Sequence, residues 1–463
     1  MKRWFCVLIG TVLLFSAACQ LRFTPPTPLD PTLVPQAAVE PLAEDVSSES
    51  EFEGLLPDEP ATSTPKDNAP LSREEPSPMD TSISNFSDTD PDFSVESYQD
   101  FAFLLGASTL DGKQSQSLSP FSLYFALAML AEGANGDTQT ELLRLLGTSD
   151  VKTLQQQAAS LMENNLMEGE TSVVDTHNSF WMTNSLPVRF RDSYISGLQE
   201  RYRAEAFTED LSAAEAQQHI ADWIKHYTRD TIDPSFHLDP FTVSVLVNTL
   251  YLSDGWSDPF DPVNTERGDF HCADGAVVEA DFMQNGFGNT SVVQGDGFLR
   301  CSLPLARIGS VVLVLPDEDV PLSRLVRDAE ALERTMTSGI ETDCNLFVRM
   351  PKFRLHTRYE MQSLLQALGA PTAFSNEADF SNMLETGSVY VDQVIHETYV
   401  SMEEKGTEAS AYTMITTRAT GALILPVELP RVEMNFDRPF LFAITGLDGS
   451  ILFLGTVTEM PQS

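Results

Sequence analysis

Residues 403–411, Glu-Glu-Lys-Gly-Thr-Glu-Ala-Ser-Ala, join a charged strand end to one glycine and then to a run of small residues. Gly406 can take backbone angles closed to other residues, so the chain can pivot there. Beyond it the sequence alternates. Thr407, Ala409, Ala411, Thr413, Ile415 and Thr417 share one face of an extended chain, and that face is small and uncharged. Glu408, Ser410, Tyr412, Met414, Thr416 and Arg418 take the other face. A strand of this pattern could be added to the middle of a sheet without burying a charge. A plain Ala/Ser/Thr linker has no need of the alternation.

Specific motifs follow one another along the rest of the chain. Ser119-Pro120-Phe121-Ser122 leads into Ala126-Leu127-Ala128-Met129 and Gly133-Ala134-Asn135-Gly136-Asp137-Thr138. Asn178-Ser179-Phe180-Trp181, Tyr202-Arg203-Ala204-Glu205 and Asp222-Trp223-Ile224 come next. Leu246-Val247-Asn248-Thr249-Leu250-Tyr251-Leu252 precedes Gly255-Trp256 and Pro259-Phe260. Met350-Pro351-Lys352-Phe353, Phe374-Ser375, His396 and Asp437-Arg438-Pro439-Phe440-Leu441-Phe442 complete the series. In this order, from about Phe93 to Thr458, the chain resembles the serpins.

The resemblance implies a mixed α/β (α+β) fold of about nine helices around three β-sheets, with an exposed reactive-centre loop. It implies a suicide inhibitor of serine, or failing that cysteine, endopeptidases. The cleaved loop would insert into the central sheet and trap the acyl-enzyme, so this chain is expected to supply no catalytic residue and not to be an enzyme. The hinge falls on Glu404, Gly406, Thr407, Glu408, Ala409 and Ala411, and Trp256 marks the point where the loop enters. Ser119, Ser122, Asn248 and His396 match the buried polar cluster, or shutter, beneath the sheet. Ser115 stands four residues before Ser119, where many members have Asn. The family's usual spacing from Gly406 puts the scissile bond at Thr420-Gly421. Arg418-Ala419 comes next, and the stretch Leu423 to Leu425 last. A small Thr suits elastase-like or subtilisin-like pockets first, with trypsin-like enzymes second. The competing reading is a non-inhibitory serpin serving as a cell-surface binding protein. Such members tend to carry charged, proline or bulky hinge residues, unlike Thr407, Ala409 and Ala411.

The segments before the body read differently. Lys2 and Arg3 precede a short apolar run from Trp4 to Phe15, too short for a permanent membrane helix, so residues 1–19 read as a signal peptide. Ser16-Ala17-Ala18-Cys19 resembles the bacterial lipoprotein signal, in which the Cys is acylated and becomes the mature N-terminus. Ser16 replaces the usual Leu. Residues 20–92 hold nearly half of the chain's 28 prolines among many acidic and hydroxyl residues, a composition expected to remain an extended, disordered tether. Residues 93–463 are the serpin domain, and roughly 370 residues suffice for one large core. The expected destination is across the inner membrane, lipid-anchored at the cell envelope or surface, or else extracellular.

Charge and cysteine count narrow the partners. With 28 Lys+Arg against 68 Asp+Glu, the formal charge of −40 repels nucleic acid and polyanions. The stretch Leu154 to Leu166, where many serpins bind heparin-like activators, contains no Lys or Arg. No cofactor, metal or heparin-like activator is expected, the membrane is approached only through the lipid, and a monomer is expected. Cys272, Cys301 and Cys344 lack metal-ligand spacing, and Cys272 with Cys301 could pair or all could be free. The chain has no GxSxG, HExxH or phosphate-cradling glycine loop.

Local signals place the motifs. Ser119 and Pro120 suit the N-cap and first turn of a helix that ends at Gly133. Thr138 with Glu141 predicts a capping box, and Gly147 a stop. Leu246 to Leu252 and Leu452 to Val457 read as buried strands.

Overall fold

The apolar run centred on Leu246 forms a strand, Thr242–Ser253, in which every residue is buried. A strand covered on both faces needs neighbours on both edges and layers above and below. The computed structural model describes residues 9–19, 79–81, 96–169, 172–404 and 429–460. Among these residues are nine α-helices and three sheets of seven, nine and two strands.

The seven-stranded central sheet contains β1 (Ile9–Cys19), β2 (Met79–Thr81), β3 (Val173–Thr183), β4 (Glu205–Glu209), β5 (Thr242–Ser253), β6 (Phe353–Glu360) and β7 (Val389–Met402). Its order is β2-β6-β7-β1-β5-β3-β4. The strand β1 is antiparallel to both β7 and β5, with Leu13 opposite His396 on one side and Asn248 on the other.

Two strands thus come from segments that the sequence assigns to a leader and a tether. The sequence of β1 suits both readings, since an uncharged run of eleven residues fits a strand between two buried neighbours as well as it fits a leader.

Beneath the sheet lies the main core. The helix Pro120–Gly133 runs through it with all its residues buried, its N-cap Ser119 accepting the amide of Ser122. The nine-stranded sheet backs this helix and includes Ile451–Val457, every residue buried. On the opposite face of the central sheet, the helix Ala214–Tyr227 covers a smaller apolar cluster. Ile220, Trp223 and Ile224 pack there with Trp181, Val245, Val247 and Ile395.

The capping box at Thr138 and Glu141 does not form. The helix runs from Gly136 to Leu145 with Asn135 at its N-cap. Thr138 instead accepts the Asp379 amide at 3.0 Å, and Glu141 accepts the amide and hydroxyl of Thr372. Tertiary partners have outcompeted the local cap. Gly147 follows the helix with φ +71, as its stop requires.

Candidate functional site: the slot and its hinge

Strand β7 ends at Met402, and the next two residues are held by five partners. The Glu403 carbonyl accepts the indole N–H of Trp256 at 2.8 Å, and its carboxylate pairs with Arg354. The Glu404 carbonyl accepts the Phe260 amide at 3.0 Å. Its carboxylate accepts the Thr265 hydroxyl at 2.7 Å and meets the Lys352 ammonium at 3.3 Å. Burial pushes the Glu404 carboxyl up, but the Thr265 hydroxyl, its own amide and the Lys352 charge outweigh that, and the net shift is downward. Trp256 is itself buried, with its ring 5.6 Å from that of Phe260. The base of the hinge is therefore clamped to the top of the sheet.

Half-way down the slot lies the polar cluster. The ring nitrogen Nε2 of His396 accepts the backbone N–H of Ser119 at 3.0 Å, while the Ser119 hydroxyl donates to the Leu452 carbonyl at 2.8 Å. Ser122 donates to the side-chain oxygen of Asn248. The amide nitrogen of Asn248 donates to Thr176 at 2.9 Å and to Asn178 at 2.8 Å. Asn178 in turn donates to the Tyr202 carbonyl. Every one of these groups is buried, and burial pushes the His396 imidazole down to about 3.

This geometry is not that of a nucleophile and base. His396 holds a backbone amide, and neither serine hydroxyl reaches its ring nitrogen. The cluster ties the helix Pro120–Gly133 to β5 and β7 at the place where those strands part around β1. No group of His, Cys, Asp and Glu among the described residues could hold a metal ion.

The structure brings together Ser119, Ser122, Asn248 and His396, and sets Trp256 against Glu403. Ser115 stays out of the cluster. Its hydroxyl instead accepts the amides of Thr458 and Glu459, holding the end of the last strand. Glu404 is the last described residue before the loop. Gly406, Thr407, Glu408, Ala409, Ala411, Arg418, Ala419, Thr420 and Gly421 lie outside the described residues, as does the alternative stretch Leu423 to Leu425. Cys19 is the final residue of β1. Cys272, Cys301 and Cys344 are all free, and burial pushes the Cys301 thiol up to about 12. Cys301 faces Leu313 and Val292 across its two strand pairings, so no cysteine sits opposite it.

Several participants escape a reading of single motifs. Thr176 and Asn178 complete the Asn248 network, and Ser117 meets Thr398 at 2.8 Å beside it. Thr265, Lys352 and Arg354 build the hinge clamp. Asn178 and Lys352 lie within recognised motifs, but nothing local marks them as partners of residues tens of positions away.

The chain's relatives agree with this architecture. A family profile described as Serpin (serine protease inhibitor) matches residues 96–460. Serpin-Z1C from Triticum aestivum is 30% identical over 400 residues, covering 80% of this chain and 97% of its own. Serpin A3-1 from Bos taurus is 31% identical over 385 residues, covering 80% and 90%. Among solved structures, the thermophilic serpin Tengpin in its native state superposes with a TM-score of 0.66 at 24% identity, over 83% of this chain and 97% of that one. Thyroxine-binding globulin in complex with thyroxine gives 0.66 at 24%, over 79% and 98%. At that identity the structural likeness bears on fold, and the profile and the relatives carry the family. This chain belongs to the serpin family.

Proposed function

Serpins are in general protease inhibitors rather than enzymes, and we propose that this one is a suicide inhibitor of serine peptidases, acting by loop insertion. The observation that carries the reading is the strand position between β5 and β7. It accommodates a strand antiparallel to both neighbours, eleven residues paired with β7 and ten with β5, and β7 runs directly into the clamped base of the hinge. A chain that turned back after Glu404 would run antiparallel to β7 in that same position. The small, uncharged face from Thr407 to Thr417 suits such burial.

In this mechanism the peptidase attacks the loop and forms its acyl-enzyme. The freed loop then inserts, carries the enzyme away and distorts its active site before water can deacylate it. The nucleophile and base belong to the target. Elastase-like and subtilisin-like enzymes are the first targets, trypsin-like ones second. Mixing the chain lacking residues 1–19 with subtilisin should give an SDS-resistant complex. Cleavage without a complex, and without loop-insertion stabilisation of the nicked product, would favour a binding-protein role.

Residues 1–19 serve in the same reading as a lipoprotein leader, with Cys19 acylated and residues 20–92 spacing the inhibitor from the envelope. Each buried methylene adds about 0.8 kcal/mol to anchoring, so a diacylglyceryl group with an amide-linked acyl chain holds a soluble domain durably. Cys19→Ser should abolish labelling by a fatty-acid analogue. An unlabelled wild type free in the medium would overturn the anchor.

A further inference from the structure

The strand that completes the central sheet is the chain's own N-terminal segment. Ile9–Cys19 pairs along its whole length with β7, from Ile9 opposite Val400 to Cys19 opposite Val389, with one irregularity between Ser16 and Ala17. It pairs likewise with β5, from Ile9 opposite Leu252 to Ala18 opposite Thr242. Its start lies at the hinge end of the slot, near Met402 and Trp256. Leu13, next to its middle residue, lies opposite both Asn248 and His396.

A loop entering after Glu404 would travel in the same direction over the same β5 and β7 edges. The slot is one strand wide, because each edge offers a single row of backbone donors and acceptors. Two occupants cannot share it. The sequence Ile-Gly-Thr-Val-Leu-Leu-Phe-Ser-Ala-Ala-Cys has no charge, whereas the loop carries Glu408 and Arg418. Glu408 and Arg418 lie on the outward face of the loop, so either occupant fills the slot without burying a charge.

We propose that residues 9–19 are an internal plug of the unprocessed protein: while they fill the slot the loop cannot insert, and their removal arms the inhibitor. The consequence for inhibition rests on the loop-insertion reading above, whereas the seating of the plug does not. Removal requires hydrolysis of one peptide bond by a processing peptidase, between Ala18 and Cys19 for a lipoprotein leader, which frees residues 9–18 of the plug and leaves Cys19 on the mature chain. Water adds across that bond to leave a carboxylate on the departing segment and an amine on the mature chain. A precursor that folds before export would then be cut by a peptidase as a substrate and would not trap it.

The test compares the full chain, residues 1–463, with residues 20–463. Amide hydrogen exchange read on β5 and β7 should be markedly slower in the full chain, and SDS-resistant complexes with subtilisin should form only with the shorter one. A full chain carrying Leu13→Pro and Phe15→Pro, which cannot pair as a strand, should behave like the shorter chain and covers the case in which truncation impairs folding. Equal exchange on β5 and β7 in all three proteins, or complexes formed to the same extent by both the full and shortened chains, overturns the plug, complete absence of complexes excepted. Slow exchange in the full chain alone, with no complex from any form, supports the seating and sinks the inhibitory reading instead.

Discussion

At the scale of single residues, His396 couples the slot to pH. Its imidazole titrates at about 3 in the folded protein and near the ordinary value of 6.5 once unfolded. Between those values the unfolded chain binds a proton that the folded chain does not. The contribution is therefore fully present above pH 6.5 and is lost as pH falls toward 3, by at most about 1.4 kcal/mol per pH unit. His396→Gln should flatten the fall in unfolding free energy between pH 6.5 and 4, measured by urea titration. An unchanged slope would assign the acid sensitivity to other groups. Asn248 supplies a second test, because its side chain joins Ser122, Thr176 and Asn178 in a buried network. Asn248→Leu keeps the branched shape but strands those partners, and should cost about 2–4 kcal/mol in the same assay with little change in m-value.

Among the elements, the hinge and the slot divide the work. Thr407 is the first residue past Gly406 on the face that would be buried. Thr407→Arg would bring an unpaired charge into the sheet at a cost of several kcal/mol. The expected product is a folded protein that subtilisin cleaves without being trapped, and complexes at wild-type stoichiometry would refute it. How far these elements could be read from sequence follows from the range of their interactions. The helix at Pro120 was legible because Ser119 and Pro120 act within one turn, and β5 because an apolar run needs cover on both faces. The network around Asn248 was legible only in part, since Thr176 and Asn178 lie on β3 and reach it through sheet pairing. The same is true of Thr398, which meets Ser117 from a strand far along the chain. The capping box failed for the converse reason: Thr138 and Glu141 have the local spacing, but Asp379 and Thr372 claim them. The pairing of β1 was not legible because a leader and a doubly covered strand can share one composition.

For the molecule as a whole, the proposed inhibitory reading makes the bond that a target cuts decide which enzymes it meets. A net charge of −40 favours cationic partners in general and selects no particular pocket. In that reading selection falls to residues 405–428, which follow Glu404 and precede Leu429, whose carbonyl lies beside Asn345 ahead of the strand Arg431–Asn435. Counting from Gly406 by the usual spacing of inhibitory serpins gives Thr420-Gly421, and a small Thr side chain enters shallow pockets of the elastase or subtilisin kind. A cut after Arg418 would instead suit a pocket with a carboxylate at its base, where an ion pair supplies recognition that a Thr cannot. The two differ by two residues, so the polypeptide released from a denatured complex separates them directly. N-terminal sequencing of that fragment should begin at Gly421. A start at Ala419 transfers the protein to trypsin-like targets, and a start beyond Leu425 overturns both assignments and the spacing from Gly406 on which they stand.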